Sequence, residues 1–144
     1  MATYNRRPAT ESERETIFEG YRRTVGEYVA TAWGWDESFQ REGFWTHHPL
    51  NGFEVIEIEN GFAGGLHVAE DEADLYIRMI FLLPEFQGRG IGSALINEIH
   101  ATARKRKKGL CLKVICCNPA ASLYERLGFK LVDENDSSKN MRWD

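Results

Sequence analysis

The sequence has few cysteines, few prolines and no long apolar run, and each shortage excludes a class of protein. Three cysteines, two of them adjacent, make a poor disulfide framework and lack the paired spacing of a structural zinc site. No apolar stretch is long enough to cross a bilayer, and the N-terminal segment MATYNRRPATESERE lacks the apolar region of a secretory signal. We therefore expect a cytoplasmic protein with no membrane contact and no metal ion.

An excess of positive charge is also missing, since the formal net charge is −4. Proteins that bind nucleic acid are usually basic, so we expect no nucleic-acid partner. The basic run at 104–108 is interpreted as the solvated end of a helix. A chain of 144 residues suits one core, and we predict that residues 1–144 form a single domain.

The apolar periodicity changes near Gly52, from a helical spacing to alternation. Before that point we predict a strand at 3–7, a helix from Thr10 to the break at Gly34 with Glu13 completing a capping box, and a helix from Asp36 to about residue 45. After it we predict strands at 53–59, 62–70, 75–83, 110–117, 129–133 and 140–143, a helix that ends at Gly109, and a helix at 119–127. Such alternation predicts an α/β fold with mixed strand directions.

The segment from Leu82 to Ser93 carries the most chemical information. A buried strand ends at Pro84, and the sequence Gln87-Gly88-Arg89-Gly90-Ile91-Gly92-Ser93 then opens a helix. Glycines let the backbone approach a phosphate, and the helix N-terminus adds partial positive charge. The spacing is neither that of the dinucleotide fingerprint nor that of the P-loop. A tight strand-to-helix turn with no ligand remains the alternative.

A second segment, N-P-A-A-S-L-Y-E-R-L-G-F at 118–129, favours the phosphate-binding loop over a turn with no ligand. Together with L-P-E-F-Q-G-R-G-I-G-S-A-L it resembles the GNAT superfamily of acetyl-CoA-dependent N-acetyltransferases. The first segment is similar to the family's pyrophosphate loop at Gln87, Gly90 and Gly92. The resemblance implies a mixed, mostly antiparallel central sheet with flanking helices, in which two central strands splay into a V that holds acetyl-CoA.

The resemblance also implies roles for individual residues. The pantetheine arm would pair with the backbone near Phe81 and Leu82, where an N–H would polarise the thioester carbonyl. Tyr124 would be the catalytic acid that protonates the departing thiolate, although its place in a helical apolar stripe also suits a core residue. The positions that the resemblance assigns to the cofactor are Phe81, Leu82, Gln87, Gly88, Arg89, Gly90, Ile91, Gly92, Ser93 and Asn118.

The group that accepts the amine's proton is not identified by the sequence, and a water route is our default. The predicted inward positions of the two central strands are occupied by Tyr76, Arg78 and Lys113. The other candidates are strand positions, namely Glu54, Glu57, His67 and Glu70.

Several alternatives stay open at this stage. Cys111, Cys116 and Cys117 raise the option of a covalent acyl-enzyme, although we favour direct attack. A non-catalytic module that senses acyl-CoA would need the same loop. The acceptor is a small-molecule amine or a protein or peptide amine, and the resemblance leaves a homodimer open.

Overall fold

Seven strands and five α-helices, with two short 3₁₀ turns, make up the computed structural model, which describes residues 3–144. The strands are β1 (Asn5–Pro8), β2 (Phe53–Ile58), β3 (Gly61–Glu70), β4 (Asp74–Leu82), β5 (Gly109–Ile115), β6 (Lys130–Glu134) and β7 (Ser138–Trp143). The helices are α1 (Arg14–Thr24), α2 (Gly26–Trp33), α3 (Glu37–His47), α4 (Ile91–Lys105) and α5 (Ala120–Leu127). The 3₁₀ turns are Glu11–Glu13 and Pro84–Phe86.

The strands form one sheet in the order β1-β2-β3-β4-β5-β7-β6. The central pair, β4 and β5, is parallel, and the other neighbouring pairs are antiparallel. Helix α4 connects the parallel pair, as a crossover must. The predicted α/β fold with a mixed, mostly antiparallel sheet is confirmed.

The two central strands separate halfway along their length. Their pairing runs from Asp74 opposite Gly109 to Ile77 opposite Leu112 and stops there. The next residue of β4, Arg78, is an extra residue in the ladder with β3, because Ile77 pairs with Val68 and Met79 with His67. A bulge bends its strand, so it provides a local cause for the separation. The V predicted from the family resemblance is present between the far ends of β4 and β5.

Two clusters of buried side chains lie on opposite faces of this sheet. Helices α4 and α5 cover one face, where residues such as Leu95, Ile99 and Tyr124 pack on Leu110 and Met141. Helices α1 to α3 cover part of the other face, with an aromatic cluster of Phe18, Tyr21, Phe44, Phe53 and Phe81. Within residues 3–144, no residue of β6 or β7 belongs to this second cluster.

Two local predictions needed correction. The helix predicted from Thr10 to Gly34 divides at Val25, where the hydroxyl of Thr24 donates to the carbonyl of Gly20 at 2.7 Å, a contact that bends helices. The β2–β3 turn is centred on Glu59 and Asn60, both with positive φ, and not on Asn60-Gly61.

Other boundaries agree with the sequence, apart from the end of α4. The Thr10–Glu13 capping box is present, and the Asp36 carboxylate accepts from the Phe39 amide at 2.9 Å at the start of α3. Helix α4 ends at Lys105, four residues before the predicted Gly109, because Lys107 takes a left-handed conformation.

Candidate functional site

The V between β4 and β5 contains two cavities that meet. The first, which we call the loop cavity, has a volume of about 490 Å³ and lies between the end of β4, the loop at 87–93 and α5. The second, the helix cavity, has a volume of about 440 Å³ and lies between α2, α3 and the splayed strands. Each volume is of the size that holds a small molecule or part of a cofactor. Both cavities are lined by Val25, Ile80, Asn118 and Tyr124.

The glycines of the loop cavity serve two different purposes. Gly88 and Gly90 have φ of 77° and 80°, a left-handed conformation that other residues adopt at a cost, so the turn itself requires them. Gly92 lies in the first turn of α4 without a positive φ, and a Cβ there would meet only Leu82, at 3.8 Å. Neither conformation nor protein crowding therefore requires a glycine at 92. A ligand close to the backbone would require one.

The start of α4 supplies donors to this space. The first helical hydrogen bond runs from the Ala94 amide to the Gly90 carbonyl at 3.0 Å. The amides of Ile91, Gly92 and Ser93 therefore have no acceptor within the helix. Together with the helix dipole they form a site that favours an anion. Nε2 of Gln87 donates to the Leu82 carbonyl at 2.8 Å and ties the loop to β4.

The end of β4 offers backbone groups to the V. The Leu83 amide donates to the Ala63 carbonyl of β3 at 2.8 Å, and the ladder continues with Phe81 opposite Gly65. Backbone groups alternate between the two edges of a strand, so Phe81 faces β3 while Leu82 and Ile80 face the V. Of the two residues predicted to pair with pantetheine, Leu82 has a free amide there, while its carbonyl accepts from Gln87, and Phe81 has no free backbone group. The ring of Phe81 packs in the aromatic cluster.

Tyr124 and Asn118 lie where the two cavities meet. At the start of α5, the side-chain oxygen Oδ1 of Asn118 accepts a hydrogen bond from the Ala120 amide at 2.9 Å. Tyr124 is 8% exposed, and burial raises its pKa to about 12. Its hydroxyl has no hydrogen-bond partner among residues 3–144, although the side chain lines both cavities. It is therefore a protonated donor available to a ligand.

One histidine of a hydrogen-bonded pair, His48, lines the helix cavity, and the other, His67, does not. Nδ1 of His48, at the end of α3, is 2.9 Å from Nδ1 of His67 on β3, so one ring donates and the other accepts. Burial lowers the pKa of His48 to about 3, with His67, Arg78 and His47 adding to the effect. Burial, followed by the charge of Arg78, also lowers the pKa of His67. Both imidazoles are neutral at pH 7.

The acidic candidates for a proton acceptor are engaged elsewhere. Each of them, and Tyr76, has a polar partner outside the two cavities: Glu54 with Arg6, Glu57 with Arg7, Glu70 with Lys108 and Arg106, and Tyr76 with Asp71 and Asp74. Among the described residues, no Asp or Glu lines either cavity.

The family model described as acetyltransferase (GNAT) domain matches residues 40–131, which is well over half of the chain. The chain belongs to the GNAT acetyltransferase family. The matched region includes the central strands β4 and β5, the loop at 87–93 and the whole of α5.

The relatives of this GNAT chain agree with that membership. An uncharacterized N-acetyltransferase of Methanocaldococcus jannaschii is 29% identical over 147 residues, a match that covers 90% of this chain. The same match covers 62% of that relative, so the chain spans less than two thirds of the relative's length.

Two solved structures show the same fold. The PaiA N-acetyltransferase of Thermoplasma acidophilum, in complex with coenzyme A, has a TM-score of 0.77 at 18% identity and covers 99% of both chains. The ribosomal-protein-S18-alanine N-acetyltransferase of Escherichia coli has a TM-score of 0.67 at 18% identity, over 98% of this chain and 93% of its own.

Most residues that the sequence assigned to the GNAT cofactor site lie together. The lining of the loop cavity includes Phe81, Leu82, Gln87, Gly88, Gly90, Gly92, Ser93, Asn118 and Tyr124. Two assigned side chains lie outside that lining. Ile91 is buried against Ile58 and Ala63, so only its amide faces the loop, and the guanidinium of Arg89 stacks on the ring of Phe86 at 5.4 Å.

Sequence reasoning missed three residues of the two cavities. Ile80, Arg126 and His48 line the cavities and were not singled out. Ile80 lies on the edge of β4, Arg126 on one face of α5 and His48 where the chain reverses after α3. The sequence alone does not show which edge or face meets the cavities. The basic run at 104–108 lies at the far end of α4, about 20 Å from the loop at 1.5 Å per residue, where Arg106 and Lys108 pair with Glu70. The run therefore lies at the opposite end of α4 from the free amides of Ile91, Gly92 and Ser93.

Within residues 3–144, no group of three or more His, Cys, Asp and Glu side chains is placed to hold a metal ion. No helix in the same range is both long enough and apolar enough to cross a membrane.

Proposed function

We propose that this GNAT chain is an N-acetyltransferase that transfers the acetyl group of acetyl-CoA to a primary amine by direct attack. The observation that carries the proposal is that Tyr124 and Asn118 line both cavities. A ligand in the loop cavity therefore ends where a second ligand in the helix cavity begins. The name of the M. jannaschii relative and the coenzyme A in the T. acidophilum structure support this assignment.

The loop cavity fits acetyl-CoA in its donors and its open space. When bound there, acetyl-CoA supplies an acetyl thioester that is activated toward amines. The amides of Ile91, Gly92 and Ser93 hold its pyrophosphate, and the open side of Gly92 leaves room for close approach. The backbone groups of Leu82 and Ile80 pair with the amides of the pantetheine arm, in effect as a further strand.

The same strand edge polarises the thioester carbonyl. An amide of Leu82 or Ile80 that faces the V is fixed by the β3–β4 ladder before any ligand arrives. Attack by an amine develops negative charge on the carbonyl oxygen, and a preorganised donor at that oxygen lowers the barrier by about 3 kcal/mol.

Tyr124 donates a proton to the departing sulfur. Its raised pKa, about 12, keeps the hydroxyl protonated at neutral pH, and no residue in 3–144 competes for that hydrogen. The position between the cavities places the donor beside the bond that breaks.

Water takes the amine's proton in this proposal. His48 is a basic side chain that lines the helix cavity, but with a pKa of about 3 it would hold a proton in roughly one molecule in 10⁴ at pH 7. The histidine pair therefore orders water and does not store the proton.

Direct attack is supported by the position of the thiols. Neither cavity is lined by a cysteine of the described chain. The thiol of Cys117 donates to the Tyr28 carbonyl at 3.6 Å, the thiol of Cys116 donates to the Asp136 carbonyl at 3.0 Å, and Cys111 accepts from Arg142 at 3.5 Å. A covalent acyl-enzyme would need a thiol beside the thioester.

We further propose that residues 1–144 form one domain. The helices on both faces of the sheet pack against the same strands, so neither cluster of buried side chains has a sheet of its own.

The experiment is release of free thiol from acetyl-CoA in the presence of a panel of amines. The panel contains small amines, amino acids, polyamines and peptides with a free N-terminus or lysine. We expect thiol release that depends on at least one amine, and formation of its N-acetyl product. Calorimetric binding of acetyl-CoA with no thiol release from any amine would contradict the enzyme and leave an acyl-CoA sensor.

A further inference from the structure

Two positive side chains face each other across the helix cavity. Arg78 lies at the bulge of β4, and Lys113 follows Leu112, the last residue of β5 that pairs with β4. Leu112 and Val114 point into the cluster under α4, so alternation along β5 directs Lys113 to the opposite face. Both side chains are exposed and both line the helix cavity.

These two charges have no partner in the described chain. Neither Arg78 nor Lys113 forms an ion pair within residues 3–144, whereas Arg6, Arg7 and Arg41 each bind two carboxylates. The lining of the helix cavity in that range has no acidic residue, and its buried histidine is neutral. The cavity is therefore positively charged.

The cosubstrate does not account for these charges. The lining of the loop cavity includes neither of them, and that cavity has its own donors in the α4 amides and Arg126. The helix cavity is the space left for the acceptor. An amine with no negative group would enter a positive cavity in its own positive form, and like charges oppose this binding.

We propose that the acceptor is a small amine that carries a carboxylate or a phosphate in the same molecule, and that Arg78 and Lys113 bind this anionic group. The inference rests on the proposed acetyl transfer. It selects amino acids and phosphorylated amines and excludes polyamines. Arg provides two parallel donors to such a group and Lys a single charge, so both are suited to it.

The test compares acceptors that differ only in the anionic group. The phosphate arm is O-phosphoethanolamine against ethanolamine, the carboxylate arm is L-phenylalanine against L-phenylalaninamide, and spermidine and a peptide with a free N-terminus complete the set. For at least one arm we expect kcat/KM to be at least tenfold higher for the anionic member. The advantage should shrink as salt rises.

Variants assign that advantage to the two side chains. In Arg78→Gln and in Lys113→Gln we expect the KM of the anionic amine to rise at least tenfold, with the KM of acetyl-CoA unchanged. Lys130→Gln, on the exposed edge strand β6, is the matched control and should behave as wild type. A preference for spermidine, the peptide or the neutral members, or an anionic preference that survives both variants, would overturn the inference.

Binding separates this inference from the proposed function. Calorimetry of the same amines is run on the protein saturated with CoA. If no amine is acetylated, anionic amines that bind to wild type and not to Arg78→Gln would uphold the inference while the enzyme assignment fails. If neutral amines are acetylated and no anionic amine binds, the enzyme stands and the inference falls.

Discussion

The two ends of the V are built from different parts of the chain. In the loop cavity the groups that we assign to the cosubstrate are mainly backbone: the amides at the start of α4, the edge of β4 and the open side of Gly92. The helix cavity is lined by residues of seven elements, among them the side chains of Arg78, Lys113 and His48. A backbone site suits a cosubstrate that a whole family shares, whereas a side-chain site can change with the acceptor while the fold stays the same.

The largest effect that we expect concerns the residue shared by both ends. Tyr124→Phe should lower kcat about 100-fold, because it removes the acid that protonates the thiolate. Binding of acetyl-CoA and the free energy of unfolding should be nearly unchanged, since the hydroxyl has no partner within residues 3–144. The measurement is steady-state kinetics together with urea unfolding.

Tyr76→Phe is the control for this variant. The Tyr76 hydroxyl donates to the Asp71 carboxylate at 3.0 Å, outside both cavities, so kcat should stay at the wild-type value. Equal activity of wild type and Tyr124→Phe would reduce Tyr124 to a core residue.

The next prediction concerns the side-chain end and its pH dependence. The pKa of His48 is lowered to about 3 in the folded state, so between about pH 6.5 and pH 3 the unfolded chain binds the proton more readily. The contribution of the neutral ring is complete above pH 6.5 and is lost as the pH falls below it. From pH 7 to pH 5 this amounts to about 2 kcal/mol of the free energy of unfolding.

His48→Gln tests this directly by urea unfolding at both pH values. Each protein is compared with itself, so a general destabilisation by the substitution cancels. The variant should lose about 2 kcal/mol less than wild type between pH 7 and pH 5. An equal loss would mean that His48 is not kept neutral by its surroundings.

The smallest expected effect concerns Gly92 in the loop cavity. Gly92→Ala should weaken acetyl-CoA binding about tenfold, because the methyl group occupies space needed by the pyrophosphate. Stability should stay the same or rise by about 0.5–1 kcal/mol, since Ala favours a helix over Gly. Calorimetry and thermal unfolding measure the two quantities.

Gly43→Ala provides the matched substitution. Gly43 is also helical and a Cβ there meets nothing within 4 Å, but it lies in α3, away from the loop. It should leave acetyl-CoA binding unchanged. If Gly92→Ala binds as tightly as Gly43→Ala, the cradle does not hold the pyrophosphate where we place it.

The backbone end was predictable from the sequence because its determinants are local. The glycine pattern, the strand before it and the helix after it lie within 82–93, and the neighbouring segment at 118–129 supplied the resemblance. One detail failed at this level. The sequence named Phe81 and Leu82 together, and only the register with β3 shows that Leu82 and Ile80 face the V.

The side-chain end was predictable only in part, because most of its contacts join distant parts of the chain. Arg78 and Lys113 were predicted as inward positions, and both line the helix cavity. His48 and His67 are 19 residues apart and meet because α3 ends above β3. The bulge at Arg78 depends on pairing with β3, and the aromatic and apolar pattern of β4 does not reveal it. The cytoplasmic location and the homodimer stay predictions, since nothing in the fold bears on them.

The most direct test of the central claim is calorimetry of acetyl-CoA and CoA binding to wild type, Gly90→Ala and Gly90→Glu. Gly90→Ala controls for backbone strain, because both variants place a side chain at φ of 80° and a Cβ there meets nothing within 4 Å. We predict that wild type binds both ligands with Kd below about 1 mM, that Gly90→Ala retains binding, and that the carboxylate of Gly90→Glu abolishes it. Failure of wild type to bind either ligand, or undiminished binding by Gly90→Glu, would contradict the account.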